Sequence, residues 1–323
     1  MTDCAVPTDA VRRLFVERAG FIENAFKRRF QGILRAAWRD RTWHVVAAVP
    51  GSGKSCGIAD LVVQGGACKG TDGHTSLPVL AIRSPKNARS ETALGNALTA
   101  AFGVAPRLPW DQRRTWLVAQ FARAEVALLV DDDAQDLSLA QLAYLKELTD
   151  NLVAPPYERR LGLCLVTASE GGTIPLRETL QARRELLWRQ FRRRLSGERP
   201  YLLILGHTEE EVREVLAGYE DLYRDQFPGL ALCRWAGPIY RWLTHPALDP
   251  EGSGRVAMDN LGKLVVAALR GAHARGEDDV GGDLLRSWAE AMTLRRDAVL
   301  PVDGEPPEET SPVAPAAAVA AVG

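Results

Sequence analysis

The sequence predicts an α/β fold, a three-layer sandwich around a five-stranded parallel sheet, followed by a small helical domain. Two observations lead to it. Five short apolar runs, rich in leucine and β-branched residues, are separated by helical or polar stretches. Each run is continuously apolar rather than alternating, which suits strands covered on both faces. The first run ends in a glycine-rich turn that opens a helix, and 323 residues are enough to bury a full core.

Taken in order, residues 9–39 place Ile22, Phe26, Phe30, Ile33 and Ala37 at helical spacing. Arg12, Arg13, Arg18, Lys27, Arg28, Arg29, Arg35 and Arg39 fill the other faces, so residues 1–40 read as basic amphipathic helices. The five strand candidates are 42–49, 77–83, 126–132, 161–168 and 201–206, which makes 41–206 the sheet domain. Beyond Gly206, Thr208 caps a helix whose first turn is acidic. Residues 207–298 are expected to be helical, with a break near P-A-L-D-P-E-G-S-G at 246–254. Residues 299–323 have no basic side chain and many prolines, which predicts a disordered tail.

Composition narrows the function. The formal net charge is -1, yet only six residues are lysine, so arginine carries most of the positive charge and Lys54 stands out. The five cysteines are scattered, with no C-x-x-C or Cys/His spacing of the kind zinc requires. A reducing, cytoplasmic setting is expected. No run approaches the ~20 apolar residues that span a bilayer, so no membrane is expected as a partner.

The chemistry begins at V-V-A-A-V-P-G-S-G-K-S, residues 45–55. After a strand and before a helix from about Lys54 to Gln64, the backbone N–H groups of Gly51, Ser52, Gly53 and Lys54 can converge on phosphates. A side chain at Gly51 or Gly53 would hold the backbone off the anion. Lys54 would reach the β- and γ-phosphates of ATP and Ser55 would hold Mg2+, with Pro50 to Cys56 forming the cradle. Ala48, where the pattern usually shows glycine, lies behind that cradle at the strand exit.

A second motif, V-A-L-L-V-D-D at 126–132, ends a buried strand in carboxylates, as a Walker B element does. In one register Asp131 holds Mg2+ through water and Asp132 orients the attacking water. In the other, Asp133-Ala134 stands for the Glu-Ala of a D-E-A sequence. Either way an aspartate, one methylene short, replaces the usual glutamate. A ~1 Å misplacement can cost about a hundredfold in rate, so slow hydrolysis is expected. Thr167 and Ser169, at the end of the fourth strand, could touch the γ-phosphate or the water.

Between Arg177 and Arg199 lie eight arginines and three acidic residues. In ring- or filament-forming ATPases an arginine from this region reaches a neighbour's γ-phosphate. Arg193 and Arg194 are the leading candidates, with Arg189 and Arg192 behind.

On these residues the chain resembles the AAA+ ATPases, and within them the transposition regulators MuB, TniB and TnsC. The resemblance is carried by P-G-S-G-K-S, by V-L-A-I-R-S-P with the helix S-E-T-A-L-G-N-A-L-T-A-A-F-G-V, by L-L-V-D-D-D-A-Q and by the arginine run, across roughly residues 10–270. It implies a P-loop NTPase sandwich with a helical lid. W-A-G-P-I-Y-R-W-L adds a G-x-x-x-R that looks like a sensor 2 element, putting Arg241 near the phosphates. The implied protein binds ATP and Mg2+ and assembles head to tail, as a ring or filament, on double-stranded DNA without sequence preference. It would present that DNA to a transposase, alongside a target-selection protein. Two other readings stay open: another AAA+ switch, such as an origin-recognition-like initiator or a signalling ATPase, and a P-loop kinase of small molecules.

Overall fold

The computed structural model describes residues 22–66, 68–69, 75–86, 89–169, 172–195 and 200–292. The first 21 residues and the 299–323 tail, expected as a basic helical start and a disordered end, lie outside the described residues. Five strands form one parallel sheet: β1 Trp43–Ala48, β2 Val79–Arg83, β3 Leu128–Asp132, β4 Gly162–Ala168 and β5 Tyr201–Ile204. The spatial order is β2-β3-β4-β1-β5, so β1 sits inside the sheet between β4 and β5. All five lie within the apolar runs that the sequence singles out.

Because successive side chains of a strand face opposite ways, each strand feeds two cores. Val46, Ala48, Leu128, Val130, Cys164 and Val166 pack against α1 Ala25–Asp40 and α2 Lys54–Gly65. Val45, Ala47, Leu129, Leu163 and Leu165 pack on the other side. There the cover is α3 Glu91–Ala101, α4 Trp110–Arg123, α5 Leu139–Val153 and the helices α6 Pro175–Gln181 and α7 Leu186–Arg194. The arginine-rich stretch thus contains two short helices. The sandwich has three layers, with its strand ends free to carry loops.

After β5 the chain builds a separate helical core from α8 Glu209–Tyr223, α9 Ala236–Leu243, α10 Met258–Arg275 and α11 Gly282–Met292. Thr208 and Glu211 form a reciprocal capping box at the start of α8. The expected break holds: no helix covers 246–254. Here Asp249 instead accepts from the N–H groups of Ser253 and Gly254.

α1 joins the two cores. Phe26, Phe30, Leu34 and Ala37 are buried against the sheet layer, while Ile22, just before the helix, belongs to the helical core. Its basic residues do not form a free face. Lys27 pairs with Asp60 of α2 at 2.9 Å, Arg28 with Glu214 at 2.6 Å and Arg29 with Glu211. Among the described residues, no helix is long and apolar enough to cross a membrane.

Candidate nucleotide-binding site

β1 ends at Ala48 and α2 starts at Lys54, so the loop between them wraps the amino terminus of α2 at the carboxyl edge of the sheet. Gly51 and Gly53 have φ of 71° and 93°, in the left-handed region that glycine adopts without strain. A Cβ on Gly51 would also lie 2.8 Å from the Cβ of Asp259. Lys54 is buried, its Nζ donating to the carbonyls of Ala48 and Val49 at 3.0 and 3.3 Å. Burial pulls its pKa below the ordinary lysine value, against the charges of Asp132 and Asp133. The cradle residues Pro50 to Cys56 all line one cavity of about 710 Å³.

Three consecutive aspartates close this end of β3, each with its own partner. Ser55 Oγ donates to Asp132 Oδ2 at 2.5 Å. Asp131 points to the opposite face of the sheet, fully buried, and accepts from Ser84 Oγ at 2.6 Å. Burial pushes its pKa up to about 7, opposed by the Ser84 bond and reinforced by the charges of Asp132 and Asp133. Ser55 thus meets Asp132 and not Asp131, the arrangement that the second register calls for, because a strand turns alternate side chains away. Asp133 lines the cavity in a left-handed conformation with φ of 60°. Its Oδ2 accepts from Arg83 Nε at 2.6 Å. Burial would raise its pKa, but the bonds from Arg83 and Gln135 hold it below the usual carboxylate range.

Ser169 lies beside the loop: its N–H donates to Ala48 O at 3.0 Å, and its Oγ is buried without a hydrogen-bond partner. Ser52 Oγ and Thr167 Oγ1 are buried and unpartnered as well. Of the three only Ser52 lies in the loop and lines the cavity, where an unpaired buried hydroxyl is costly unless a polar ligand meets it; Thr167 and Ser169 belong to the end of β4 and do not line it.

The arginines divide. Arg194 pairs with Asp150, donates to Thr149 Oγ1 at 3.1 Å and lies over Trp43 at 5.4 Å. Arg192 donates to the carbonyls of Leu180 and Arg183. Both hold the fold together, whereas Arg189 and Arg193 are exposed. Leu186, Arg189 and Arg193 share one face of α7, and Leu186 is 60% exposed. Arg241 does not join the cavity. α9 buries Ile239, Trp242 and Leu243 in the helical core and turns Arg241 outward.

The second wall of the cavity went unread in the sequence. It is built by Tyr219 of α8 and by Met258, Asp259, Gly262, Lys263 and Val266 of α10. One signal could have found it: Lys263 is one of only six lysines, the same scarcity that draws attention to Lys54.

No family model matches the sequence, and no curated protein matches it. Solved structures do. The Aeropyrum pernix ORC2 protein in its ADPNP–ADP complexes superposes with a TM-score of 0.62 at 17% identity, covering 86% of this chain and 71% of that one. Cdc6p from Pyrobaculum aerophilum gives 0.59 at 17%, covering 88% and 71%. The Aeropyrum pernix ORC1 protein in complex with DNA gives 0.54 at 17%, covering 87% and 69%. At such identities the likeness is one of fold. With its parallel sheet, flanking helices and phosphate loop at the edge of β1, the chain has the AAA+ P-loop fold of these proteins.

Proposed function

We propose that the protein is an ATP-dependent, DNA-binding AAA+ switch that hydrolyses ATP slowly. The observation that supports it best is the convergence of the 50–56 loop, the Ser55–Asp132 pair and Asp133 on one cavity. A hydroxyl and a carboxylate are hard oxygen donors that suit Mg2+ beside phosphates. Ser55 and Asp132 would hold that ion, which neutralises phosphate charge when bound. Lys54 and Lys263 would bind the phosphate chain, and Asp133 would orient the attacking water. Ser169 would meet the γ-phosphate. This adopts the second register, with Asp132 on the metal side and Asp133 as the base.

Within that class the reading is a regulator of DNA transposition that assembles head to tail on target duplex and recruits or activates a transposase. Its support is the sequence resemblance, together with Arg189 and Arg193 on an open helix face, available to a neighbouring subunit. The α1 arginines are engaged internally, which leaves the exposed 183–193 region as the better basic surface for a polyanion. The helical bundle would act as a lid. A second reading, an origin-recognition-like initiator, is favoured by the fold likeness to Cdc6p and the ORC proteins.

Electron microscopy on random-sequence duplex, with ATP or a slowly hydrolysed analogue, tests the first reading. Nucleotide-dependent filaments or rings on any duplex are expected, and Lys54→Ala should abolish them. Binding confined to one DNA sequence, without extended assembly, would favour the initiator. A nucleotide-indifferent monomer without DNA affinity at low salt would rule out both.

A further inference from the structure

The wall that α10 contributes to the cavity carries a carboxylate. Asp259 lies in the first turn of α10, and its N–H donates to Gly51 O at 2.7 Å. Its side chain forms an ion pair with Lys263 one turn later. Both residues line the cavity and both are about half exposed, 52% for Asp259 and 63% for Lys263. The phosphate loop and this ion pair therefore share one space.

A carboxylate beside a loop built for phosphates is a like charge in the wrong place. At separations of ~6 Å and partial exposure, such a charge changes the affinity for a polyanion by roughly tenfold, less at high salt. It also occupies the ammonium group of Lys263, which lines the same cavity as Lys54. The ordinary reason for an aspartate here is the positive end of the helix, which an acid in the first turn stabilises. The bond to Gly51 is a backbone one and the pair with Lys263 has ordinary helical i,i+4 spacing; what is particular here is that both charges line the cavity of the phosphate loop.

We propose that Asp259 sets the affinity for nucleotide: its carboxylate opposes the phosphate chain and holds Lys263, which must exchange Asp259 for a phosphate when nucleotide binds. The proposal rests on the nucleotide reading above. No bond is made or broken in it; one ion pair replaces another. The consequence is weaker binding and faster nucleotide exchange than the loop alone would give, as suits an assembly timed by its nucleotide.

The test is a titration of the full chain with fluorescent ATP and ADP in Mg2+, at low and high salt. The variants are Asp259→Asn, Asp259→Ser, Lys263→Ala, Asp259→Asn with Lys263→Ala, and Lys54→Ala. Asparagine keeps the shape of the side chain and serine does not, so a gain common to both variants reports the charge alone. Asp259→Asn and Asp259→Ser are expected to bind ATP about tenfold more tightly at low salt, with the gain shrinking as salt rises. Lys263→Ala should bind ATP about tenfold more weakly, and the gain from Asp259→Asn should be smaller in that background. Should both Asp259 variants bind no tighter than the parent, changing only the melting temperature, Asp259 serves only the first turn of α10 and the proposal is overturned. Loss of binding in Lys54→Ala alongside that result leaves the nucleotide reading standing. Full binding in Lys54→Ala overturns both.

Discussion

Asp131, Asp132 and Asp133 are identical in composition and unlike in every physical respect. Asp132 meets Ser55, Asp131 is sealed under the sheet on Ser84, and Asp133 is drawn to Arg83. If Asp133 is the base, Asp133→Asn should lower ATP turnover about a hundredfold and leave nucleotide binding intact. Asp132→Asn should instead weaken the Mg2+-dependent part of binding. Steady-state phosphate release and a nucleotide titration separate the two, and lost turnover with intact binding in Asp132→Asn would restore the first register. Arg83 is 66% exposed and holds Asp133 by an ion pair, so Arg83→Ala should raise turnover several-fold by freeing the carboxylate. Equal or lower turnover in that variant would show that Arg83 orients the base rather than restrains it.

At the scale of elements, the joints between layers determine where the site sits. Gln31 of α1 donates to the carbonyl of Gly57 in α2 at 3.1 Å, and Phe30 covers Gly57. Gly57→Ala would place a Cβ 2.9 Å from the Phe30 ring. Replacing a helical glycine gains ~1 kcal/mol in propensity. Overpacking a buried ring costs about 1–3 kcal/mol. The ring is fully buried, so a lower melting temperature is expected, and a higher one would mean that Phe30 can move.

The other joint is between β5 and α8. His207 is fully buried there, with neither ring nitrogen hydrogen-bonded. It packs near Phe26 of α1, with Glu211, Glu214 and Arg29 as its charged neighbours. Burial lowers its pKa, outweighing Glu211. The unfolded chain then takes the proton more readily than the folded one. Stability is therefore full above the ordinary histidine value of ~6.5 and falls as pH drops below it. Denaturant melts at pH 7.5 and 5.5 should show a smaller acid loss in His207→Gln than in the parent.

For the whole molecule, assembly depends on which arginines are free. Arg189→Glu or Arg193→Glu should abolish ATP-dependent assembly, read by light scattering, while single-subunit ATP binding stays normal. Arg194→Ala should instead lower the melting temperature, because it leaves Asp150 without one of its two cationic partners and uncovers Trp43. Normal assembly in both glutamate variants would move the subunit contact to another face.

The sequence by itself determined the five strands, the loop that ends β1, the Thr208 cap and the break before α10. Each is local: an apolar run, two glycines before a lysine, a capping pair, a cluster of proline and glycine. The three aspartates read alike in the sequence, which left open which of them met the loop. That waited on the pairing of β3 between β2 and β4. Only the tertiary structure separated Arg189 and Arg193 from Arg192 and Arg194, since four arginines on one short segment read alike until Trp43, Asp150 and two carbonyls claim two of them. It alone brought Lys263 and Asp259 to Gly51 and turned Arg241 away. Those positions lie some two hundred residues from the loop, and no local pattern in a single sequence encodes a contact made by the packing of one core against another.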